Sequence, residues 1–319
     1  MAMRGKESEN GMYEFPYMKP PQRSGWETFR SALYDSKNGT ILGRNAKSWA
    51  QILTFYALFY IVLACLFAIC MQAMLSTLND KEPKWQLDNG LIGKNPGLGF
   101  RPIADRTEEG SLIWYNPKNK SSIEKWVKLT EDFLEPYLRN GTGSNKMSCD
   151  FDQPAKKGRV CDVDMNKFQS CGPAHSFGYS STSPCIFLKL NRIINWVPEF
   201  YNDINDLPSD MPKQLVDTIK SKKPEERDQI WVTCAGEHPA DKEHVSKFEY
   251  LPYLGFPGFY YPYTNDKAYL SPLVAVKIVT PKPNVVINIE CRAWAKNINY
   301  RGGNQQREGS VHFEIMMDA

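Results

Sequence analysis

No C-x2-C pair, no G-x-S-x-G and no segment repeated at a fixed period occurs in the 319 residues. The first absence removes the usual zinc-ribbon spacing, the second the nucleophile elbow of α/β hydrolases, and the third solenoids and propellers. Histidine is scarce: His175, His238, His244 and His312 are the only four, and they are not at metal-ligand spacing. Charge of one sign is missing as well. Lys and Arg number 39 against 36 Asp and Glu, and the resulting +3 is too mild to imply nucleic acid. A mean hydropathy of −0.48 excludes a polytopic membrane protein. With 42% hydrophobic and 13% aromatic residues, the chain is still rich enough to bury a core, which excludes wholesale disorder.

What is present is concentrated in one place. Ile52 to Leu75 is a run of 24 residues without a charge. As an α-helix it reaches about 36 Å, enough to cross a hydrocarbon core of about 30 Å. Buried core helices seldom run so long uninterrupted, and a cleaved signal peptide would not have some 50 residues before it. The expectation is a cytoplasmic tail over 1–51, a transmembrane helix over 52–78 and an extracellular domain over 79–319. The tail carries eight basic and five acidic residues, leaving 31 of each sign beyond it. The positive-inside rule therefore leans toward a cytoplasmic N-terminus without settling it.

The cysteines settle it better. Cys65 and Cys70 lie within the apolar run, whereas Cys149, Cys161, Cys171, Cys185, Cys234 and Cys291 all follow it. Six on one side of a membrane read as three disulfides in an oxidising compartment, with fifteen pairings open to them. Two glycosylation sequons share that side, at Asn119 and Asn140, while a third, at Asn38, falls in the tail. The topology implied is a type II single-pass glycoprotein, its apolar run acting as signal-anchor.

Residues 79–105, with Pro83, Pro96, Pro102 and several glycines, read as an extended stalk. Gly97-Leu98-Gly99 is set aside as a phosphate loop because Pro102 stands where a third glycine belongs. Ile123, Trp126, Val127, Thr130, Phe133, Leu134 and Tyr137 share one helical face, with Ser121 and Glu124 as a capping box and Pro136 near the end. Strands follow at Cys185–Leu190, Ile230–Cys234, Leu273–Thr280, Asn284–Trp294 and Val311–Met317. Alternation such as Val285, Ile287, Ile289, Cys291 points to half-buried strands of an antiparallel sheet. The fold class is mainly β: one disulfide-stapled domain carrying one or two helices.

Three clusters share an origin. They are Leu42-Gly43-Arg44 with Ser48-Trp49 and Phe55-Tyr56-Ala-Leu-Phe59-Tyr60; Pro184-Cys-Ile-Phe-Leu-Lys-Leu-Asn-Arg192; and Tyr260-Tyr-Pro-Tyr263 with Tyr269-Leu-Ser-Pro-Leu-Val-Ala-Val276 and Ile289-Glu-Cys-Arg292. From about Trp26 onward the chain resembles the β subunit of the sodium/potassium-transporting ATPase and its proton/potassium relative, most loosely between about 101 and 150. The resemblance implies an immunoglobulin-like antiparallel β-sandwich with bonds Cys149–Cys161, Cys171–Cys185 and Cys234–Cys291. It implies no catalytic residue, metal or cofactor on this chain. The partner would be the catalytic α subunit, which the β subunit escorts to the plasma membrane, stabilises and tunes in potassium affinity. A small single-span regulatory subunit is a further partner by the same resemblance.

Within the apolar run, Phe55, Tyr56, Phe59 and Tyr60 recur at i, i+1, i+4 and i+5 and so share one side. Tyr60 lies too deep for an interfacial belt, and its hydroxyl wants a partner that lipid does not supply. These four, with Gln72, are the expected membrane contact with the α subunit. Ile61, Cys65 and Ile69 stand where family members often carry glycines, so contact on that side differs; Ala57, Ala64 and Ala68 offer another small face. Outside, Tyr253, Phe256, Phe259, Tyr260, Tyr261 and Tyr263 crowd a loop that either packs on the domain's own core or faces the partner. Tyr253, Phe256, Tyr260, Tyr261 and Tyr263 are the candidate external contacts.

Two other classes compete. A type II luminal glycosyltransferase would use Asp150/Asp152 or Asp162/Asp164 for a manganese–nucleotide pair. Those aspartates sit beside cysteines, with no alternating βα pattern, and read better as solvated loop residues. An adhesion receptor fits an immunoglobulin-like ectodomain as well as a pump subunit does.

Overall fold

The structure is a computed structural model and describes residues 6–7, 13–14, 24–35, 39–79, 82–91, 93–139, 145–245, 247–303 and 307–318. Two units divide the chain, Met1–Leu78 and Asn79–Ala319.

In the first unit, helix α1 (Gly25–Leu33) leads through a short pairing of Tyr34–Asp35 with Thr40–Ile41 into helix α2 (Ala46–Leu75). Helix α2 starts six residues before the apolar run because Asn45 caps it, its side chain accepting from the Ser48 amide at 2.9 Å. At its far end Ser76 and Thr77 return their hydroxyls to the carbonyls of Ala73 and Met74, both at 2.7 Å. The thirty residues reach about 45 Å. None of them is buried. A helix this long and apolar, with no described residue packed over it, suits a lipid solvent and fits a single-pass membrane protein.

The second unit is a sandwich. Its strands are β1 (Leu98–Arg101), β2 (Leu112–Tyr115), β3 (Cys185–Leu190), β4 (Gln229–Gly236), β5 (Lys247–Leu251), β6 (Gly255–Pro257), β7 (Val274–Val279), β8 (Ile287–Trp294) and β9 (Ser310–Met317). Its helices are α3 (Lys120–Leu138), α4 (Lys213–Ser221) and α5 (Pro239–His244). One sheet runs β5-β7-β3-β1 and the other β6-β4-β8-β9-β2. Every pairing in the two sheets is antiparallel, as expected, except β9 with β2, which is parallel. Along β8 the period of two places Ile287, Ile289, Cys291 and Ala293 in the core and leaves Asn288, Glu290 and Arg292 half-buried on the outer face. Rings of Phe100 and Phe313, 5.1 Å apart, join the two sheets.

Two corrections follow. Part of the expected stalk is sheet: β1 pairs with β3 and buries Leu98 and Phe100. Glycines at 97 and 99 mask the alternation, yet a Cβ at Gly97 would stand 2.8 Å from the Asn191 side chain, so close approach accounts for that glycine. Helix α3 is capped by Asn119, whose side chain accepts from the Ser121 amide at 3.1 Å, not by Ser121. The preceding Asn116 turn, which accepts from the Lys118 amide at 2.8 Å, brings the chain into helix two residues early.

Helix α3 buries Trp126, Thr130 and Leu134, and the Trp126 indole donates to the Trp114 carbonyl at 2.8 Å. Helix α4 lays Leu215 and Ile219, with Met211, over Trp231 and Trp294 in a second, smaller core. The Trp294 indole donates to Thr233 at 2.8 Å. Beside it the Arg292 guanidinium lies 3.5 Å from the Trp294 ring centroid and 3.8 Å from that of Tyr300, with Asp210 at 2.6 Å from its nitrogen. Bonds join Cys149 to Cys161, Cys171 to Cys185, and Cys234 to Cys291; the last pair also stand opposite each other on β4 and β8.

Candidate partner-binding surfaces

The aromatic side of α2 is built by helical spacing alone. Phe55 stacks on Phe59 with centroids 6.3 Å apart, and Tyr56 on Tyr60 at 6.2 Å. Phe55 meets Tyr56, and Phe59 meets Tyr60, edge to face at 5.5 Å. The result is a four-ring ladder, Tyr56 half exposed and Tyr60 60% exposed. Gln72, one turn before the helix end, is also exposed. Ile61 and Ile69 project at 59% and 66%, so a backbone-to-backbone approach is closed on their side.

The external loop divides its aromatics. Gly255 brings β6 against β4 so tightly that a Cβ would meet the Ile230 carbonyl at 2.3 Å. That approach drives Phe256 into the core at 0% exposure, where it has no surface to offer. Tyr261 sets its ring edge-on to Trp196 at 5.7 Å, and its hydroxyl is buried. Burial, and secondarily Tyr269, raises its pKa far above the ordinary tyrosine value. Tyr260 donates to the Asp162 carbonyl at 3.1 Å, and burial raises its pKa too. Tyr253 packs edge-on against Phe151, as does Phe259. Tyr253, Phe259 and Tyr260 thus tie the loop to the disulfide-rich segment beneath it, and Tyr261 ties it to Trp196.

Tyr263 is different. Arg192 stands 5.3 Å from the rings of both Tyr263 and Tyr269, held by Ser271 at 3.0 Å and the Tyr269 carbonyl at 3.2 Å. So fixed, Tyr263 walls a mostly apolar groove of about 660 Å³ with Trp85, Leu91, Ile193 and Ile194. Trp85 is 65% exposed and Leu91 fully so. Sequence reasoning missed these four, because they come from two segments some hundred residues apart. The single available signal was a tryptophan and a leucine in a proline- and glycine-rich stretch.

The aspartate pairs serve local structure. Asp150 accepts from the Phe151 amide and Asp164 from the Asn166 amide, both at 2.9 Å, while Asp162 faces Lys146 at 3.2 Å. Among the described residues no group of three His, Cys, Asp or Glu side chains is placed to hold a metal ion. Asn119 is exposed, and its cap uses the side-chain oxygen, leaving the nitrogen a glycan would take outside that bond. Asn140 and Asn38 lie outside the described residues.

On the outer face of the five-stranded sheet, Arg307 reaches Glu290 at 2.9 Å and Glu237 at 2.5 Å, and the Glu237 carboxylate also meets His312 at 2.5 Å. Burial pushes the Glu237 carboxyl up, but the hydrogen bonds and charges of Arg307 and His312 outweigh it and hold the group below its ordinary value.

Comparison with known proteins gives a consistent result. The family described as sodium/potassium ATPase beta chain matches residues 19–313. The chain is 46% identical over 310 residues to the sodium/potassium-transporting ATPase subunit beta-2 of Drosophila melanogaster, covering 95% of each. It is 45% identical over 318 residues to the beta-1 subunit of the same organism, covering all of both. Against the human beta-2 subunit the identity is 30%, over 92% of this chain and 94% of that one.

Proposed function

Since the chain belongs to the sodium/potassium ATPase beta-chain family, we propose that it escorts a catalytic α subunit to the plasma membrane, stabilises it there and tunes its potassium affinity. It is an accessory subunit, and the ATPase chemistry resides on the partner. The observation that carries the reading is the ladder of Phe55, Tyr56, Phe59 and Tyr60 on a helix without any buried residue. Two tyrosine hydroxyls inside an apolar span are costly in lipid and favourable against another helix that can hydrogen-bond them. Tyr263 and the Trp85 groove supply an external contact, with Phe256 serving the core. The tail is cytoplasmic and the sandwich extracellular, glycosylated at Asn119 and Asn140, as three disulfides require an oxidising side.

Affinity purification of the tagged chain from solubilised membranes tests this. An α subunit should co-purify, and Tyr56→Ala with Tyr60→Ala should cut its recovery several-fold and shift the potassium dependence of pumping. Recovery of a lone, stable monomer sinks the proposal. Unchanged recovery in the double variant removes the ladder from it.

A further inference from the structure

Helix α1 carries an apolar face that none of the described residues of the first unit covers. Trp26, Phe29 and Leu33 fall within about 60° of one another at 100° per residue. They are 74%, 56% and 45% exposed, with the rings of Trp26 and Phe29 stacked at 5.9 Å. The patch continues through the hairpin, where Tyr34, Ile41 and Leu42 are 58%, 52% and 55% exposed. Six large apolar side chains in succession exceed the scattered singles that a water-facing surface tolerates.

Hydrogen bonds fix the level at which this patch sits. The Trp49 indole donates to the Ile41 carbonyl at 2.8 Å, and the Leu42 amide donates to the Leu33 carbonyl at 3.1 Å. Trp49 lies in α2 three residues before the uncharged run, where indoles favour the headgroup region. The end of α1 is therefore pinned, through Ile41 and Leu42, to the depth at which α2 enters the bilayer. Arg30, Arg44 and Lys47, all exposed, lie along the same short stretch and suit anionic headgroups.

We propose that α1 and the following hairpin form an amphipathic anchor lying in the bilayer interface, with Trp26, Phe29 and Leu33 in the acyl boundary. The occupant of the patch is lipid because the patch is continuous, through Ile41, Leu42 and Trp49, with the end of the membrane-spanning helix α2. The inference rests on α2 spanning the membrane.

The full chain, with Cys65 and Cys70 replaced by alanine, is reconstituted in vesicles of phosphatidylcholine and phosphatidylserine. Nitroxides are placed singly at Phe29→Cys and Leu33→Cys, at position 31 across the helix by its period, and at Val62→Cys in α2. Labels at 29 and 33 should be relaxed more by oxygen than by a water-soluble nickel chelate, and the label at 31 the reverse. Greater nickel access at 29 and 33 places the face in water and overturns the anchor. Shielding from both reagents also overturns it, since protein then covers the face. The label at 62 separates these outcomes from the underlying reading: nickel access there means that α2 does not span.

Discussion

Phe256 offers the sharpest separation between a residue that builds the ectodomain and one that presents it to a partner. It lies in β6, opposite Ile230 of β4, with no exposed surface. Phe256→Ala removes a fully buried ring from a site that two sheets and Gly255 hold rigidly, so little collapse can fill the void. Substitutions of that kind cost about 3–5 kcal/mol. For a domain of this size 1 kcal/mol corresponds to about 2–4 °C, so the melting temperature should fall by roughly 6–20 °C. Phe256→Leu keeps most of the volume and should cost under about 1.5 kcal/mol. Thermal melts of residues 79–319 followed by circular dichroism measure the series, and recovery of the α subunit, normalised to folded chain, measures assembly. The expected pattern is a graded loss of stability with normal assembly per folded molecule. If Phe256→Ala melts within about 2 °C of the parent and yet loses the partner, the core assignment is wrong and the side chain reaches the interface.

The disulfides should rank by loop length. Chain-entropy arithmetic gives about 3 kcal/mol for the spans of 12 and 14 residues and about 4 for the span of 57, so replacing Cys234 and Cys291 together by alanine should lower the melting temperature more than replacing Cys149 and Cys161. The reverse order would show that loop closure does not govern here. For Glu237, whose carboxyl is held below its ordinary 4.5, the stabilisation is present above that value and lost as pH falls through the folded-state pKa. Melts of the parent and Glu237→Gln should therefore differ near neutrality and converge on acidification, and a gap that widens with acid contradicts the ion-pair account.

The membrane run and the five long strands were legible because each is a sustained pattern: 24 uncharged residues in one case, period-two alternation in β8 and β9 in the other. Strand β1 was not, since Gly97, Gly99 and Pro102 imitate a loop while the pairing that makes it a strand lies ninety residues away on β3. Nor could the aromatic loop be divided from sequence. Phe256 and Tyr263 belong to one proline-rich stretch, and what separates them is Gly255 pulling one into the core and Arg192 holding the other, half-buried, in the groove wall. The Trp85 groove was illegible for the same reason, its walls arriving from distant segments. Asn119 could have been found, since asparagine ranks with serine as a cap.

The parallel union of β9 with β2 has a cost in time. Glu314 pairs opposite Leu112, so about 200 residues must be made after β2 before its sheet neighbour exists. At translation speeds of about 5–20 residues per second, that is roughly 10–40 s during which Ile113 and Tyr115, later buried, have no strand to lie beside. The four-stranded sheet is under a shorter delay, β1 waiting about ninety residues for β3 and the last strand β7 being complete at Val279. The nascent domain thus holds the edge of its five-stranded sheet open for longer than that of its four-stranded one, a schedule that makes the late arrival of β9 the step at which folding helpers have most to do.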